Sequence, residues 1–128
     1  MRALLVTHLL LWVAGPASRL PVEVRKIIED EENELWFSIA SLWEIAIKHA
    51  LGRKDFEIDP GALRRELLAD DYVELPILAE HAVAVAGLPH IHRDPFDRIL
   101  VAQAIVEGVE LLTLDAQLAR YPGPIRSF

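Results

Sequence analysis

The chain has 128 residues, 52% of them hydrophobic and 26% charged, with a formal net charge of -7 from 20 acidic and 13 basic side chains. That length supports one domain with a real core and excludes two cores of ordinary size, and the composition excludes disorder. The absence of cysteine removes disulfides, thiolate metal sites and cysteine nucleophiles, so any metal must be bound by oxygen or histidine nitrogen; the acidity excludes a protein that merely coats nucleic acid, but not an acidic pocket that holds cations.

Met1-Arg2, the apolar run from residue 3 to 14 and then Gly15-Pro16-Ala17-Ser18 have the outline of a secretory leader. Thr7 and His8 break that run, which also falls short of the ~18 residues of a membrane span. The alternative is a buried strand over residues 3–6 and a helix from His8, stopped by Gly15-Pro16. Pro21 opens a second predicted helix with Val24, Ile27 and Ile28 at helical spacing, and the acidic stretch 29–34 is its solvated end. Residues 35–39 read as a second strand, and 41–51 as a helix closed by Gly52. After a polar connector, Pro60-Gly61 introduces a helix to about residue 70, followed by a short strand over 73–76 and a small-residue helix over 79–86. A polar turn, 90–94, leads into an apolar helix over 95–107 capped by Gly108. The chain then predicts a strand over 110–114, a short helix over 116–120 and an edge strand over 125–128. Strands alternating with helices imply an α/β fold, a parallel sheet covered on both faces with right-handed crossovers.

In such a sheet, sites form outside the carboxyl ends of the strands. That edge collects Val6-Thr7-His8, the helix carrying Glu44, Thr113-Leu114-Asp115, and the helix start that carries Asp97 just after Asp94-Pro95. Clustered carboxylates repel unless a cation sits among them, and all-oxygen ligation suits Mg²⁺ or Mn²⁺. Such an ion activates water and stabilises charge on a phosphodiester. Each acid also has a structural reading. Ser41-Leu42-Trp43-Glu44 fits a capping box; Asp94 before Pro95 is a good N-cap, with Asp97 three residues on; Asp115 can cap the short helix after it. Arg93 and Arg98 flank the expected pocket as phosphate contacts or as a solvated rim, and Lys48 is placed to pair with Glu44 one turn earlier. His8, His90 and His92 lack the spacing of a metal pair and are given no catalytic role.

These residues, taken in order, resemble the PIN-domain family and within it the VapC-type toxins of toxin–antitoxin pairs. The resemblance is carried by Leu4-Leu5-Val6-Thr7-His8 with Leu10-Leu11-Trp12, by Ser38 and Ser41 through Lys48, by His92-Arg93-Asp94-Pro95-Phe96-Asp97-Arg98 with Ala102-Gln103-Ala104, and by Leu112-Thr113-Leu114-Asp115. It implies a three-layer α/β/α sandwich with a mainly parallel sheet, a single domain over 1–128, and Mg²⁺- or Mn²⁺-dependent cleavage of RNA. It also implies a VapB-like antitoxin that blocks the acidic groove, a homodimer, and a cytoplasmic location with no membrane role. By position, Glu44, Asp97 and Asp115 match the family's catalytic and metal-holding acids. Thr7, Asp94 and Thr113 would support them, and Arg93 and Arg98 would steer phosphate.

One position departs from the family pattern. The resemblance implies an aspartate at the end of the first strand, in an Asp-Thr-His triplet, where this chain reads Val6-Thr7-His8. Valine cannot ligate a metal, so metal affinity and turnover are expected to be severely reduced while the fold is retained or slightly stabilised. A rival reading from a different class follows from the same residue: a catalytically silent binding module for an antitoxin, RNA or a second copy.

Overall fold

A computed structural model describes residues 1–128. Its sheet contains β1 (Arg2–Leu5), β2 (Glu34–Ser38), β3 (Val73–Leu75), β4 (Glu110–Thr113) and β5 (Ile125–Ser127), all parallel, in the order β3-β2-β1-β4-β5. The helices are α1 (Thr7–Ala14), α2 (Val22–Glu29), α3 (Ile39–Ala50), α4 (Pro60–Ala69), α5 (Ala79–Val85) and α6 (Pro95–Glu107). Right-handed crossovers over this strand order put α1 to α4 on one face and α5 with α6 on the other, giving the three-layer α/β/α sandwich. No helix is long and apolar enough to cross a membrane.

The first apolar run is the centre of the sheet. Ala3 lies opposite Leu35 and Glu110, and Leu4 opposite Trp36 and Leu111. Ala3, Leu4 and Leu5 are completely buried, as a strand covered on both faces requires. Around them Leu9, Leu10, Phe37, Ile45, Leu63, Leu67, Leu100, Leu111 and Leu112 fill the two layers. Each crossover helix runs back against its strand, so α1, α3 and α6 all open at the carboxyl edge of the sheet, which is where the acids of the candidate site are needed.

Three local expectations are corrected. The strand and helix around residue 39 meet earlier than predicted: Ile39 belongs to α3, and its N-cap is Ser38, whose hydroxyl accepts the Ala40 N–H at 3.0 Å. Ser41 and Glu44 therefore sit inside the helix and form no capping box. The helix predicted over 116–120 shrinks to one 3₁₀ turn, Leu118–Arg120, because an Asp115 carboxylate oxygen accepts the Gln117 N–H at 2.8 Å and closes a tight turn first. By contrast α6 has the predicted limits, with Asp94 capping its start and Gly108 ending it at φ 66°, a left-handed conformation that glycine adopts at no steric cost.

Ser38 does more than cap. Its hydroxyl donates to Gln103 Oε1 at 2.6 Å, and the Gln103 amide donates to Pro76 O at 3.2 Å, threading a buried polar connection from β2 through α6 to the loop before α5. Next to it the fully buried His81 accepts the Leu78 N–H at 3.0 Å and donates from Nε2 to Glu107 at 2.8 Å. Ser38→Ala removes a cap and leaves Gln103 Oε1 buried without a donor. It is expected to cost about 2 kcal/mol in urea denaturation, and a loss below about 0.5 kcal/mol would contradict this role.

Candidate functional site

An open cleft of about 540 Å³ lies at the carboxyl edge of β1 and β4, and its wall includes Val6, Thr7, Glu44, Asp94, Asp97, Thr113 and Asp115. The expected residues do converge, but they do so with different tasks.

Glu44 is the most buried of the acids, at 5% exposure. Its Oε1 accepts the Thr7 hydroxyl at 2.7 Å, and its Oε2 pairs with Lys48 Nζ at 2.5 Å, the i,i+4 pair that the sequence allowed. Thr7 is in turn 3.0 Å from the Ser41 hydroxyl. Both oxygens of Glu44 are thus already engaged.

Asp94 caps α6: its Oδ1 accepts the N–H groups of Phe96 at 2.8 Å and Asp97 at 3.3 Å. Asp97 follows in the first turn, half-buried, and its carboxyl is pushed up to about 6, chiefly by burial and then by the neighbouring charge of Asp94. Glu44 and Asp115 add to that rise, and His92 opposes it. Asp115 comes from the far side, immediately after β4. Its backbone N–H donates to the buried Thr113 hydroxyl at 3.0 Å, which fixes the turn that delivers the carboxylate.

The tightest grouping of ligand-type atoms lies at the edge of the cleft and departs from expectation. One ligand-type atom from each of His92, Asp97 and Asp115 lies within 4.8 Å of the other two, and Glu44 is outside that set. The compact group is therefore not the anticipated Glu44, Asp97 and Asp115. Glu44 is held apart by Thr7 and Lys48, while the loop that carries His92 brings its Nε2 close to both aspartates. His92 Nε2 lies 3.1 Å from Asp115 Oδ2 and 3.6 Å from Asp97 Oδ2. Sequence spacing gave His92 no role because its partner Asp115 stands 23 residues away. The only available signal was its place two residues before Asp94, in the same segment as Asp97.

The two arginines lie beside the cleft. Neither lines the acidic cleft; both border a separate depression with His90, Ile91 and His92. Arg93 is exposed there. The Arg98 guanidinium is occupied, donating to Pro89 O at 3.0 Å, Val85 O at 3.3 Å and Tyr121 Oη at 3.1 Å. A fork holding two carbonyls and a phenol clamps the loop before α6. Arg98→Ala is accordingly expected to lower stability by about 2 kcal/mol in chemical denaturation, and Arg98→Lys to recover little of it, because one ammonium cannot span three acceptors.

Val6 is buried at 7% exposure, is the first residue after β1, and occupies the N-cap position of α1 with no side-chain hydrogen bond to that helix. It lines the cleft with the acids, and a valine side chain can neither cap nor ligate.

A five-stranded parallel sheet between helical layers, with carboxylates gathered at its carboxyl edge, defines an α/β/α protein with an acidic cleft. The family model described as PIN domain matches residues 3–124, and the chain belongs to that family. Among solved structures, it is similar to a chain of VapBC2 from Rickettsia felis bound to a DNA fragment from their promoter, with a TM-score of 0.71 at 13% identity, covering 100% of this chain and 99% of that one. It is similar also to a chain of DNA-bound VapBC from Salmonella typhimurium, with a TM-score of 0.69, 16% identity and coverage of 99% and 98%. VapBC-1 from nontypeable Haemophilus influenzae gives a TM-score of 0.65 at 16% identity, with the same coverage. At these identities the likeness is one of fold. No curated protein matches the sequence.

Proposed function

We propose that this chain is a VapC-like toxin ribonuclease, a single PIN domain that cleaves RNA with Mg²⁺ or Mn²⁺, and that its turnover is reduced by Val6. The observation that carries the reading is the meeting of Asp97 and Asp115, delivered from α6 and from the end of β4, with Asp97 held above the usual carboxylate range by burial among other acids. Carboxylates pressed together in this way fit a hard divalent cation, whose charge offsets their repulsion. Such an ion, when bound, supplies activation of water and stabilisation of charge on the phosphodiester.

In this reading Asp97 and Asp115 hold the ion. Glu44 adds negative charge from behind and is kept in place by Thr7 and Lys48, and Thr113 positions Asp115 through its backbone. Lys48 is the basic side chain nearest to hand for phosphate, since it lines the cleft and the arginines do not. The partners in this reading are RNA, a VapB-like antitoxin and a second copy of the chain, in the cytoplasm. The VapBC complexes among the fold neighbours support the antitoxin.

The absence of a carboxylate at position 6 favours a second reading, in which the domain binds RNA or an antitoxin without cutting. RNA cleavage in Mn²⁺ by the chain itself, by Val6→Asp and by Val6→Asp with Asp97→Asn separates the two. Cleavage confined to the single variant supports the nuclease; no cleavage by any of the three supports the binding module.

A further inference from the structure

His92 stands at the edge of the acidic cleft, against Asp115, on a loop whose hydrogen bonds define its ring. The His92 backbone N–H donates to Tyr121 Oη at 2.8 Å, and the same oxygen accepts Arg98 Nη1 at 3.1 Å, so the loop is tied to the clamp described above. Nδ1 of the ring lies 3.1 Å from the Asp94 backbone N–H. A backbone N–H has only a proton to offer, so Nδ1 must present its lone pair, and the proton of the neutral ring then sits on Nε2. That nitrogen is 3.1 Å from Asp115 Oδ2 and 3.6 Å from Asp97 Oδ2.

This polarity is the reverse of a metal-ligating histidine. A ligating ring turns a lone pair to the metal and donates with its other nitrogen to a carbonyl or carboxylate. Here the outer nitrogen accepts, and the inner one donates to Asp115 beside Asp97. For Nε2 to ligate, its proton would have to move to Nδ1, where it would meet the Asp94 N–H donor to donor.

We propose that His92 is a positioning residue and not a ligand: its Nε2–H and a divalent cation compete for Asp115 Oδ2, the oxygen that faces Asp97. This rests on the reading of those two aspartates as a cation site. The donor holds the Asp115 carboxylate beside Asp97, and a cation must break that hydrogen bond to take its place. His92 thus orders the site and lowers its affinity at once.

Calorimetric titration of the full chain with Mn²⁺ tests this with no need for turnover. His92→Ala is expected to bind about tenfold more tightly than the unsubstituted chain, the size of one hydrogen bond to a charged acceptor. His92→Gln, which keeps an N–H donor, is expected to stay close to the unsubstituted value. The same three chains are compared in a Val6→Asp background, where the added carboxylate strengthens binding throughout. Weaker binding by His92→Ala would make His92 a ligand and overturn the proposal, and unchanged binding would overturn it equally. If Mn²⁺ still binds in either case, the cation site itself survives. Absence of Mn²⁺ binding in every chain, Val6→Asp included, overturns both. A measurement independent of substitution is the two-bond ¹H–¹⁵N spectrum of the EDTA-treated chain: a proton on Nε2 is expected, and a proton on Nδ1 would refute the assignment.

Discussion

Val6→Asp is expected to raise RNA cleavage in Mn²⁺ by on the order of a hundredfold, equal to about 2.7 kcal/mol of barrier. Position 6 is the first residue beyond the central strand and shares the cleft with Asp97 and Asp115, so a carboxylate there reaches the place where the other two converge. The same substitution has opposing effects on stability. Removing a buried valine forfeits roughly 1–2 kcal/mol of apolar burial, and a further charge joins an already crowded set of acids. Against this, position 6 is the uncapped start of α1, and an aspartate N-cap contributes about 1 kcal/mol. The melting temperature is therefore expected to fall in EDTA and to recover in Mn²⁺, more strongly than for the unsubstituted chain. A variant that melts identically with and without Mn²⁺, and cleaves no faster, would show that position 6 does not communicate with a cation.

Asp97→Asn is expected to do the converse: to abolish any stabilisation by Mn²⁺ and to strengthen the metal-free fold at neutral pH. Burial, and then the charge of Asp94, push the Asp97 carboxyl from its ordinary 3.8 up to about 6. The folded chain therefore holds that proton at a pH where the unfolded chain has released it. The contribution of Asp97 to stability is fully present below about 3.8 and is lost as pH rises through about 6. At pH 7.5 the ionised side chain is a cost, and an asparagine escapes it. Discounted for the part of the side chain that water still reaches, the gain is about 2 kcal/mol. Urea denaturation in EDTA should show this advantage at pH 7.5 and its disappearance by about pH 4. An advantage that does not vary with pH would mean that the substitution acts through packing and not charge.

Most of the architecture was legible because it is written in local chemistry. The limits of α6 follow from Asp94-Pro95 at one end and Gly108 at the other, and β1 from an unbroken apolar run. The start of α3 was misread for a reason that is also local: Ser41 and Glu44 have capping-box spacing, but Ser38 has a cap's position and a second partner, Gln103, on α6. The site was legible as a set of acids on one sheet edge. Apart from the Glu44–Lys48 pair, what its side chains bind was not, because that depends on groups outside their own helix or turn. Glu44 is claimed by Thr7, Arg98 by Tyr121 and two carbonyls, and Asp115 by His92. Spacing reports what a helix or turn brings together, and these pairings are made by the crossovers.

The strand order also governs when the cleft can exist. β1 is paired on one side with β2, some thirty residues on, and on the other with β4, whose residues Glu110 to Leu112 lie more than a hundred positions later. Those non-local pairings close slowly, after the local helices have formed. During synthesis the first strand must wait, half-paired, until the segment from α6 through Asp115 has left the ribosome. Thr7 and Glu44 can meet early, but Asp97 and Asp115 arrive last and together. A partial chain that ends before Asp115 therefore lacks the pair of aspartates that the finished cleft brings together.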